Sequence, residues 1–290
     1  MLFVPGISEK MINKALDIDA DSIILDLEDA VESGLKSEAR ALVKQAIKRF
    51  KAKNIEIIVR INDITTKDGA MDVEAIVEET PDAIIVPKAD VEKIVAADIL
   101  LDATELRYGV EQGEIDIIPL VETSEGILDI KAILNASSRI TAVQFGAEDF
   151  TSDLGVKRTV EGDEISFARN AIAIAGNAFK IDVIDTPFTN IHDEASLEID
   201  AKKAGSLGFT GKACIHPNQI KVVNEVFTPD RKEVEKAEQL LEVFEAALQS
   251  GKGVCTFEGA MIDKPIADRA RRLVERFQTI ENKLKATRKD

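Results

Sequence analysis

The sequence predicts a (β/α)8 TIM barrel, in which eight parallel strands alternate with helices, followed by a C-terminal helical extension. Short apolar runs rich in β-branched residues alternate eight times with amphipathic stretches. Runs this apolar suit parallel strands that are covered on both faces. The eight units end near residue 217, and such a barrel usually needs roughly 200–250 residues. A doubly wound open sheet is the alternative, but eight nearly regular units favour the barrel.

The predicted strands all combine an apolar run with a polar junction at its end. They are LFVP (2–5), SIILDLE (22–28), EIIVRI (56–61), AIIVPK (83–88), DIIPLVE (116–122), ITAVQFGAED (140–149), IDVID (181–185) and GKACIHP (211–217). The stretches between them have helical periodicity. In segment 36–50, for example, one helix face carries Ala39, Leu42, Val43, Ala46 and Ile47.

Beyond the eighth strand the chain continues as an extension. We predict a helix over about 231–249, a glycine-rich loop at 251–265 and a charged helix over about 266–287. The barrel is therefore assigned to residues 1–225 and the extension to residues 226–290. A long loop on a finished barrel is often a lid or a subunit contact, so loop 251–265 is the predicted lid.

Composition and charge argue against several kinds of partner. A net charge of −16, no Trp and a single Tyr oppose binding to nucleic acid or to an anionic membrane. No segment approaches the roughly 18 unbroken apolar residues of a membrane helix, and the start MLFVPGISEK lacks the basic region of a signal peptide. Cys214 and Cys255 show no metal-binding spacing. We expect a cytoplasmic, reduced protein.

Polar residues concentrate at the carboxyl ends of the predicted strands, where a barrel carries its active site. They are Asp26, Glu28, Asp29, Arg60, Lys88, Glu122, Glu148, Asp149, Asp185, Lys212 and His216. Several carboxylates at one mouth suit a hard cation, and with only two histidines in the chain oxygen ligation favours Mg²⁺ or Mn²⁺. Neutralisation by Arg60 and Lys88 without a metal is the alternative. We expect the deeper Asp26 to pair with a basic residue such as Lys88.

Nine sequence blocks carry a family resemblance. In chain order they are LFVPG, ILDLEDAV, VRIN, VPKA, PLVETSEGI, FGAEDF, DTPF, GFTGKACIHPNQI and GAMIDKP. As a set they resemble the citrate lyase β-subunit-like family of the HpcH/HpaI aldolase superfamily, whose relatives include malyl-CoA and citramalyl-CoA lyases. The resemblance covers residue 2 to about residue 275. It implies a Mg²⁺-dependent carbon–carbon lyase that cleaves or forms a 3-hydroxyacyl thioester, such as citryl-, citramalyl- or malyl-CoA or a carrier-protein thioester. The products are an acyl thioester and a small 2-oxo acid.

The resemblance also implies roles for residues of the barrel. Glu122 and Asp149 correspond to the magnesium ligands of the family, and Glu122 thereby adjoins the substrate. Arg60 corresponds to the arginine that contacts the carbonyl and carboxylate region of the substrate and acts in catalysis. Glu28 and Asp29 correspond to the pair that holds metal-bound waters.

Asp263 corresponds to the acid/base of a loop that closes over the site, which a neighbouring subunit supplies in trimeric members of the family. The resemblance therefore implies a homo-oligomer, a trimer or a hexamer. The local sequence Asp-Lys-Pro followed by a helical pattern also fits a helix N-cap. The two roles are compatible.

Two other functions stay open at this point. Lys88 at a strand end fits a metal-independent aldolase that forms a Schiff base, although surrounding acids would raise rather than lower its pKa. The chain also fits a subunit of a citrate lyase complex that is inert without its carrier protein.

Overall fold

Eight parallel strands form one sheet in chain order. The computed structural model describes the backbone of residues 1–287 and the side chains of residues 1–283. The strands are β1 (Leu2–Pro5), β2 (Ser22–Asp26), β3 (Glu56–Arg60), β4 (Ala83–Val86), β5 (Asp116–Val121), β6 (Ala142–Phe145), β7 (Asp182–Asp185) and β8 (Gly211–Lys212).

The sheet closes on itself through its first and last strands. Leu2 bridges Cys214 in parallel register. Phe3 N donates to Cys214 O at 2.8 Å, and Cys214 N donates to Met1 O at the same distance. The predicted α/β class with a curled, TIM-barrel-like parallel sheet is therefore confirmed.

Helices follow nearly every strand. They are α1 (Glu9–Ala15), α2 (Lys36–Lys51), α3 (Lys67–Ile76), α4 (Val91–Tyr108), α5 (Ser124–Leu128), α6 (Ile130–Leu134), α7 (Ala147–Asp153), α8 (Ser166–Phe179), α9 (Glu194–Leu207) and α10 (Asn218–Phe227). Short 3₁₀ turns occupy Ser33–Leu35 and Val77–Glu79. None of the described helices combines the length and apolar character needed to cross a membrane.

The barrel interior is apolar below its mouth. A cluster of buried side chains from β2 to β6 fills it: Ile24, Ile58, Ala83, Ile85, Ile118, Leu120 and Ala142. Because side chains alternate along a strand, the intervening residues, such as Ile23 and Val143, lie on the outer surface of the sheet and are also fully buried. This double burial explains why the strands are continuous apolar runs rather than alternating ones.

Most of the observed strands are shorter than the predicted ones. Strand β6 covers 142–145 rather than 140–149, because α7 begins almost at once after it. Strand β8 covers only 211–212 rather than 211–217. In both cases the polar residues that follow the apolar run belong to the loops and helix starts at the mouth of the barrel.

The chain divides into two compact units, Met1–Val223 and a second that begins at Asn224. The second contains two helices, α11 (Arg231–Gln249) and α12 (Lys264–Thr287), whose shared core includes Val234, Ala237, Ala270 and Val274. The last residues of the predicted extension, 288–290, lie outside the described residues.

The segment predicted as loop 251–265 contains an antiparallel hairpin, β9 (Cys255–Phe257) and β10 (Ala260–Ile262). Its turn residues Glu258 and Gly259 both have positive φ, 45° and 82°. Two-residue turns of this kind match the twist of paired strands. The hairpin was not predicted from the sequence, because Glu at the first turn position gives no strong turn signal, and the lid role of the segment stays a prediction.

Candidate active site

A cavity of about 300 Å³ lies at the carboxyl ends of the strands. Apolar side chains, four carboxylates and one guanidinium surround it. The lining residues are Phe3, Pro5, Asp26, Ala30, Arg60, Leu120, Glu122, Gln144, Gly146, Ala147, Glu148, Asp149, Thr186, Pro187 and Ile215. The barrel thus brings together the predicted residues Arg60, Glu122 and Asp149, which are far apart in the sequence.

Asp26 holds Arg60 in a two-point ion pair at the base of this cavity. Arg60 Nε donates to Asp26 Oδ1 at 2.8 Å and Arg60 Nη2 donates to Oδ2 at 2.6 Å. Asp26 also accepts the backbone N–H of Glu28 at 2.9 Å. Asp26 thus pairs with a basic residue, as predicted, but the partner is Arg60 and the suggested partner Lys88 was wrong. Strands β2 and β3 are neighbours in register at Asp26 and Arg60, so the arginine of the adjacent strand is the partner within reach.

Glu28 and Asp29 extend the same arginine-centred group. Arg60 Nη1 lies 3.0 Å from Glu28 Oε2 and 3.6 Å from Asp29 Oδ2. The first contact is an ion pair without hydrogen-bond alignment. Glu28 Oε2 is buried and accepts no hydrogen bond from any described residue. Burial raises the pKa of Glu28 to about 7, an effect that Arg60 opposes and the charges of Asp29 and Asp26 reinforce. Asp29 is largely exposed.

Glu122 is a nearly buried carboxylate directly after β5, with 3% of the residue exposed. Its Oε1 accepts the backbone N–H of Lys88 at 2.8 Å. Burial and the charge of Asp149 raise the pKa of Glu122 to about 8, while the Lys88 N–H works in the opposite direction. A buried carboxylate of this kind is costly unless a cation neutralises it.

Gly146 provides the space that Glu122 occupies. A Cβ at this position would lie 2.5 Å from Glu122 Oε2 and 2.7 Å from Glu122 Cβ, closer than real contacts allow. Gly146 also precedes α7, whose first turn carries Asp149. The backbone between β6 and α7 therefore makes room for the carboxylate of Glu122 and places that of Asp149 at the cavity.

Lys88 lies between these two carboxylates. Its Nζ is 3.5 Å from Asp149 Oδ1, and its backbone adopts a left-handed φ of 44°, uncommon for a residue with a side chain. Burial alone would lower the pKa of Lys88, but Asp149, Glu122 and Glu28 outweigh it and raise the pKa. Lys88 is thus a protonated ion-pair partner, a state opposed to Schiff-base formation.

Two predicted strand-end residues, Asp185 and Lys212, do not reach the cavity. Lys212 Nζ donates to Asp185 Oδ2 at 2.5 Å and to Asp200 Oδ2 at 2.6 Å. Arg169 pairs with the same two carboxylates at 2.9 and 2.8 Å. All four residues are buried. Their placement at the mouth was wrong because the last residue of a strand can point outwards, towards the helices, as well as inwards.

Three further residues shape the cavity and were not predicted from sequence. Arg158 Nη1 donates to Glu148 Oε1 at 3.0 Å and to Thr186 Oγ1 at 3.4 Å. Thr186 Oγ1 accepts the N–H of Ala147, the first residue of α7, at 3.0 Å. The third residue, Gln144, is a polar side chain within an apolar strand, and that irregularity was its only sequence signal.

Asp263 and His216 occupy local structural positions. Asp263 Oδ1 accepts the N–H of Ile266 at 3.3 Å in the first turn of α12, as an N-cap does. His216 Nδ1 accepts the N–H of Asn218 at 3.2 Å. The backbone geometry thus accounts for a capping role of Asp263, and its acid/base role stays a prediction.

The donor set of the cavity fits Mg²⁺. Glu122 and Asp149 supply carboxylate oxygens to the cavity, and Gly146 makes room for the Glu122 carboxylate. Across the described residues, no three His, Cys, Asp or Glu side chains converge closely enough to form a complete protein-only metal site. Two carboxylates with waters and substrate completing the shell is the usual arrangement for Mg²⁺, unlike zinc or calcium.

A parallel eight-stranded barrel with an acidic cavity at its strand ends is the architecture of an α/β-barrel enzyme. Residues 1–217 match the HpcH/HpaI aldolase/citrate lyase family. This chain belongs to that family, as the sequence blocks predicted.

Curated relatives and a solved structure agree over nearly the whole chain. The citrate lyase subunit beta of Leuconostoc mesenteroides subsp. cremoris is 36% identical over 276 residues, 95% of this chain and 91% of that protein. The mitochondrial citramalyl-CoA lyase of Rattus norvegicus is 33% identical over 293 residues, 98% and 87% of the two chains. Crystalline CitE of Mycobacterium tuberculosis, in complex with magnesium, acetoacetate and coenzyme A, has a TM-score of 0.76 at 30% identity, covering 96% of this chain and 97% of that one.

Proposed function

We propose that this protein is a Mg²⁺-dependent carbon–carbon lyase that cleaves or forms a 3-hydroxyacyl thioester. The observation that carries this proposal is the buried carboxylate of Glu122 beside Asp149, at the strand ends of a barrel. Family membership and relatives named citrate lyase subunit beta and citramalyl-CoA lyase support it. The thioester is a citryl, citramalyl or malyl derivative of CoA or of a carrier protein.

In the direction of cleavage, the C3 hydroxyl loses its proton and becomes the carbonyl of a 2-oxo acid. The electron pair of the C2–C3 bond passes to the acyl thioester as an enolate, which then takes up a proton. Glu122 and Asp149 would hold Mg²⁺, or Mn²⁺ in its place, and a cation bound there would polarise the carbonyl that forms in cleavage or is attacked in condensation.

Arg60 stabilises the negative charge that develops on oxygen. Asp26 fixes its guanidinium through Nε and Nη2, which leaves Nη1 directed towards Glu28 and Asp29. A donor group held in place before the reaction loses little free energy to reorganisation. The planar guanidinium stays protonated, because its neighbouring carboxylates raise the pKa of Arg60 against the opposing effect of burial.

The supporting carboxylates and the proton carrier complete the assignment. Glu28 and Asp29 orient waters beside the cation rather than binding it directly. Asp263 moves the proton to or from the enolate carbon, a role that rests on the family resemblance. Catalysis by a positioned acid or base contributes roughly a hundredfold or more.

The finer organisation belongs to the same proposal. Residues 1–225 form the barrel and 226–290 the extension, with 251–265 acting as a lid. The protein is a cytoplasmic homo-oligomer, a trimer or hexamer, that binds neither nucleic acid nor membrane. Its strongly negative charge supports the last point.

A panel of acyl-CoA thioesters plus free citrate, assayed with and without Mg²⁺, tests the reaction. Turnover of at least one thioester that EDTA abolishes is expected. Trapping of an oxo acid on Lys88 by borohydride would instead establish the Schiff-base aldolase. Activity with a citryl carrier protein but with no CoA ester would establish a subunit that depends on its complex.

The metal-ligand assignment is tested by Asp149→Asn. Loss of a charged ligand is expected to abolish Mg²⁺-dependent turnover while the circular dichroism spectrum is unchanged. Asp153→Asn on the same helix is the matched control, since Asp153 is exposed and accepts the N–H of Ser124 at 2.7 Å. Unchanged turnover of Asp149→Asn at saturating Mg²⁺ would exclude Asp149 as a ligand.

A further inference from the structure

Gln144 is a buried polar residue that the reaction outlined above does not use. It lies on β6 with 1% of its surface exposed. Ala142, two residues earlier, belongs to the apolar cluster inside the barrel, so alternation along the strand places Gln144 inside as well. Its register neighbours are Leu120 on β5 and Ile184 on β7. Neither apolar neighbour offers its side chain a hydrogen bond.

The carboxamide oxygen of Gln144 has no hydrogen-bond partner among the described residues. Buried amide groups are nearly always paired, and an unpaired one keeps its full desolvation cost. Gln144 lines the cavity that contains Glu122 and Asp149. The other neutral polar side chain of the lining, Thr186, already accepts the Ala147 N–H. A ligand bound in the cavity is therefore the hydrogen-bond partner that the carboxamide oxygen of Gln144 can reach.

We propose that Gln144 is a specificity-determining residue that hydrogen-bonds the group attached to the carbonyl carbon of the 2-oxo acid on the side away from its carboxylate. The protein would thus select oxo acids with a polar substituent over those with a methyl group. This inference rests on the proposed lyase function, because it names which part of that substrate faces the floor of the cavity.

The orientation follows from what each part of the substrate requires. The carboxylate and carbonyl of the oxo acid belong at Glu122 and Asp149, with the cation that they hold. The long thioester arm has to leave through the mouth of the barrel. The remaining substituent can face the floor, where Gln144 on β6 precedes Gly146 by two residues. Gly146 adjoins Glu122, so Gln144 lies one layer deeper than the carboxylate pair.

Charge favours a neutral recognition group at this depth. The lining contains the carboxylates of Asp26, Glu122, Glu148 and Asp149 and a single cation, Arg60. Arg60 is already engaged by Asp26. A carboxamide accepts a hydrogen bond from a hydroxyl or, after rotation of its end, donates to a carboxylate. Gln144 therefore suits a hydroxymethyl or carboxymethyl substituent.

Titration calorimetry with pyruvate, hydroxypyruvate and oxaloacetate in the presence of Mg²⁺ tests this proposal. Hydroxypyruvate differs from pyruvate by one hydroxyl at the same charge. The wild-type protein is expected to prefer hydroxypyruvate about tenfold, the usual effect of one hydrogen bond. Gln144→Met, which keeps the side-chain length, is expected to lose this preference. Gln144→Glu is expected to keep hydroxypyruvate binding and to weaken oxaloacetate binding through charge repulsion.

Measurements of melting temperature and turnover distinguish a failure of the Gln144 inference from a failure of the proposed lyase function. Gln144→Met is expected to melt no lower than the wild type, because it removes an unpaired polar group. An unchanged preference in Gln144→Met, or a large fall in its melting temperature, would overturn the inference while the lyase function stands. Absence of both oxo-acid binding and thioester turnover in the wild type would overturn the proposed function, and the inference with it.

Discussion

At the scale of single residues, the site depends on a glycine as much as on its charged groups. Gly146 separates β6 from α7 and leaves the volume into which the Glu122 carboxylate fits. The same carboxylate accepts the N–H of Lys88, whose backbone has a left-handed φ. Strained backbone near functional groups is a recurrent feature of active sites. The position of Glu122 is thus set by the backbones of two neighbouring strands.

Gly146→Ala is expected to lower Mg²⁺-dependent turnover roughly a hundredfold, because the added methyl displaces Glu122 and a shift of about 1 Å has such an effect. Steady-state kinetics over a range of Mg²⁺ concentrations measures this loss. Gly34→Ala is the matched control, since a Cβ at Gly34 meets nothing within 4 Å. Normal turnover and Mg²⁺ affinity in Gly146→Ala would show that Glu122 does not need this space.

At the scale of secondary-structure elements, polar contacts fix the starts of two helices and join one pair of strands to the helices around it. Asp263 caps α12, while Thr186 and Arg158 hold the start of α7. Strands β7 and β8 meet α8 and α9 through the buried group formed by Arg169, Asp185, Asp200 and Lys212. These elements pack through paired charges rather than through apolar contacts alone.

Asp263→Ala and Asp263→Asn separate the capping role from the proposed acid/base role. Alanine is expected to lose about 1 kcal/mol of stability, the usual effect of removing a cap, and to lose turnover. Asparagine restores the cap and not the proton transfer. Thermal melts and turnover of both variants measure the difference. Normal turnover in Asp263→Asn would leave Asp263 with its structural role alone.

The buried charge group predicts how stability depends on pH. Burial would raise the pKa of Asp200, but Lys212 and Arg169 outweigh it and hold the pKa below the ordinary value. A lowered pKa in the folded state stabilises the protein above the unfolded-state value of about 3.9, and this contribution is lost as the pH falls further. At neutral pH, Asp200→Asn is expected to lose about 3 kcal/mol of unfolding free energy.

Urea denaturation from neutral pH to about pH 3 measures this dependence. The gap between the wild type and Asp200→Asn is expected to narrow below about pH 4. Glu198→Gln is the control, because Glu198 pairs with Lys202 on the exposed face of α9 and such pairs contribute little. A gap that stays constant with pH would contradict the lowered pKa.

At the scale of the barrel as a whole, stability depends on closure between β1 and β8. The hydrogen bonds of Met1 and Phe3 to Cys214 make this closure, and the Cys214 side chain is buried at the junction. Burial raises the pKa of the Cys214 thiol, against smaller lowering effects of the N-terminus and Lys212. A buried, protonated thiol is a poor nucleophile.

Thiol labelling therefore reports on closure of the sheet. In the native protein at neutral pH, only Cys255, which is half-buried, is expected to react with a thiol reagent. The variant Cys255→Ser is expected to react only after unfolding in guanidinium chloride. Rapid labelling of native Cys255→Ser would show that the β1–β8 edge opens without global unfolding.

Much of the fold and part of the site were predictable from the sequence. The first strand matches residue for residue, and α11 matches its predicted bounds of 231–249, because apolar periodicity depends only on neighbouring residues. The cavity residues Arg60 and Glu122 were predictable because they end apolar runs, and Asp149 because it follows such a run closely, in the first turn of α7. Three features were not predictable: the partner of Asp26, the outward direction of Asp185 and Lys212, and the hairpin within 251–265.

By itself the sequence determined the alternation of strands and helices, the acidity of the strand ends and the family. These properties depend on residue type and on local spacing. Only the tertiary structure decided that Asp26 pairs with Arg60, that Gly146 makes room for Glu122 and that the carboxamide oxygen of Gln144 has no hydrogen-bond partner among the described residues. The physical reason is that these outcomes depend on the register between neighbouring strands and on which face of the sheet a side chain occupies. Both are set when distant segments pack together, and local sequence does not encode them.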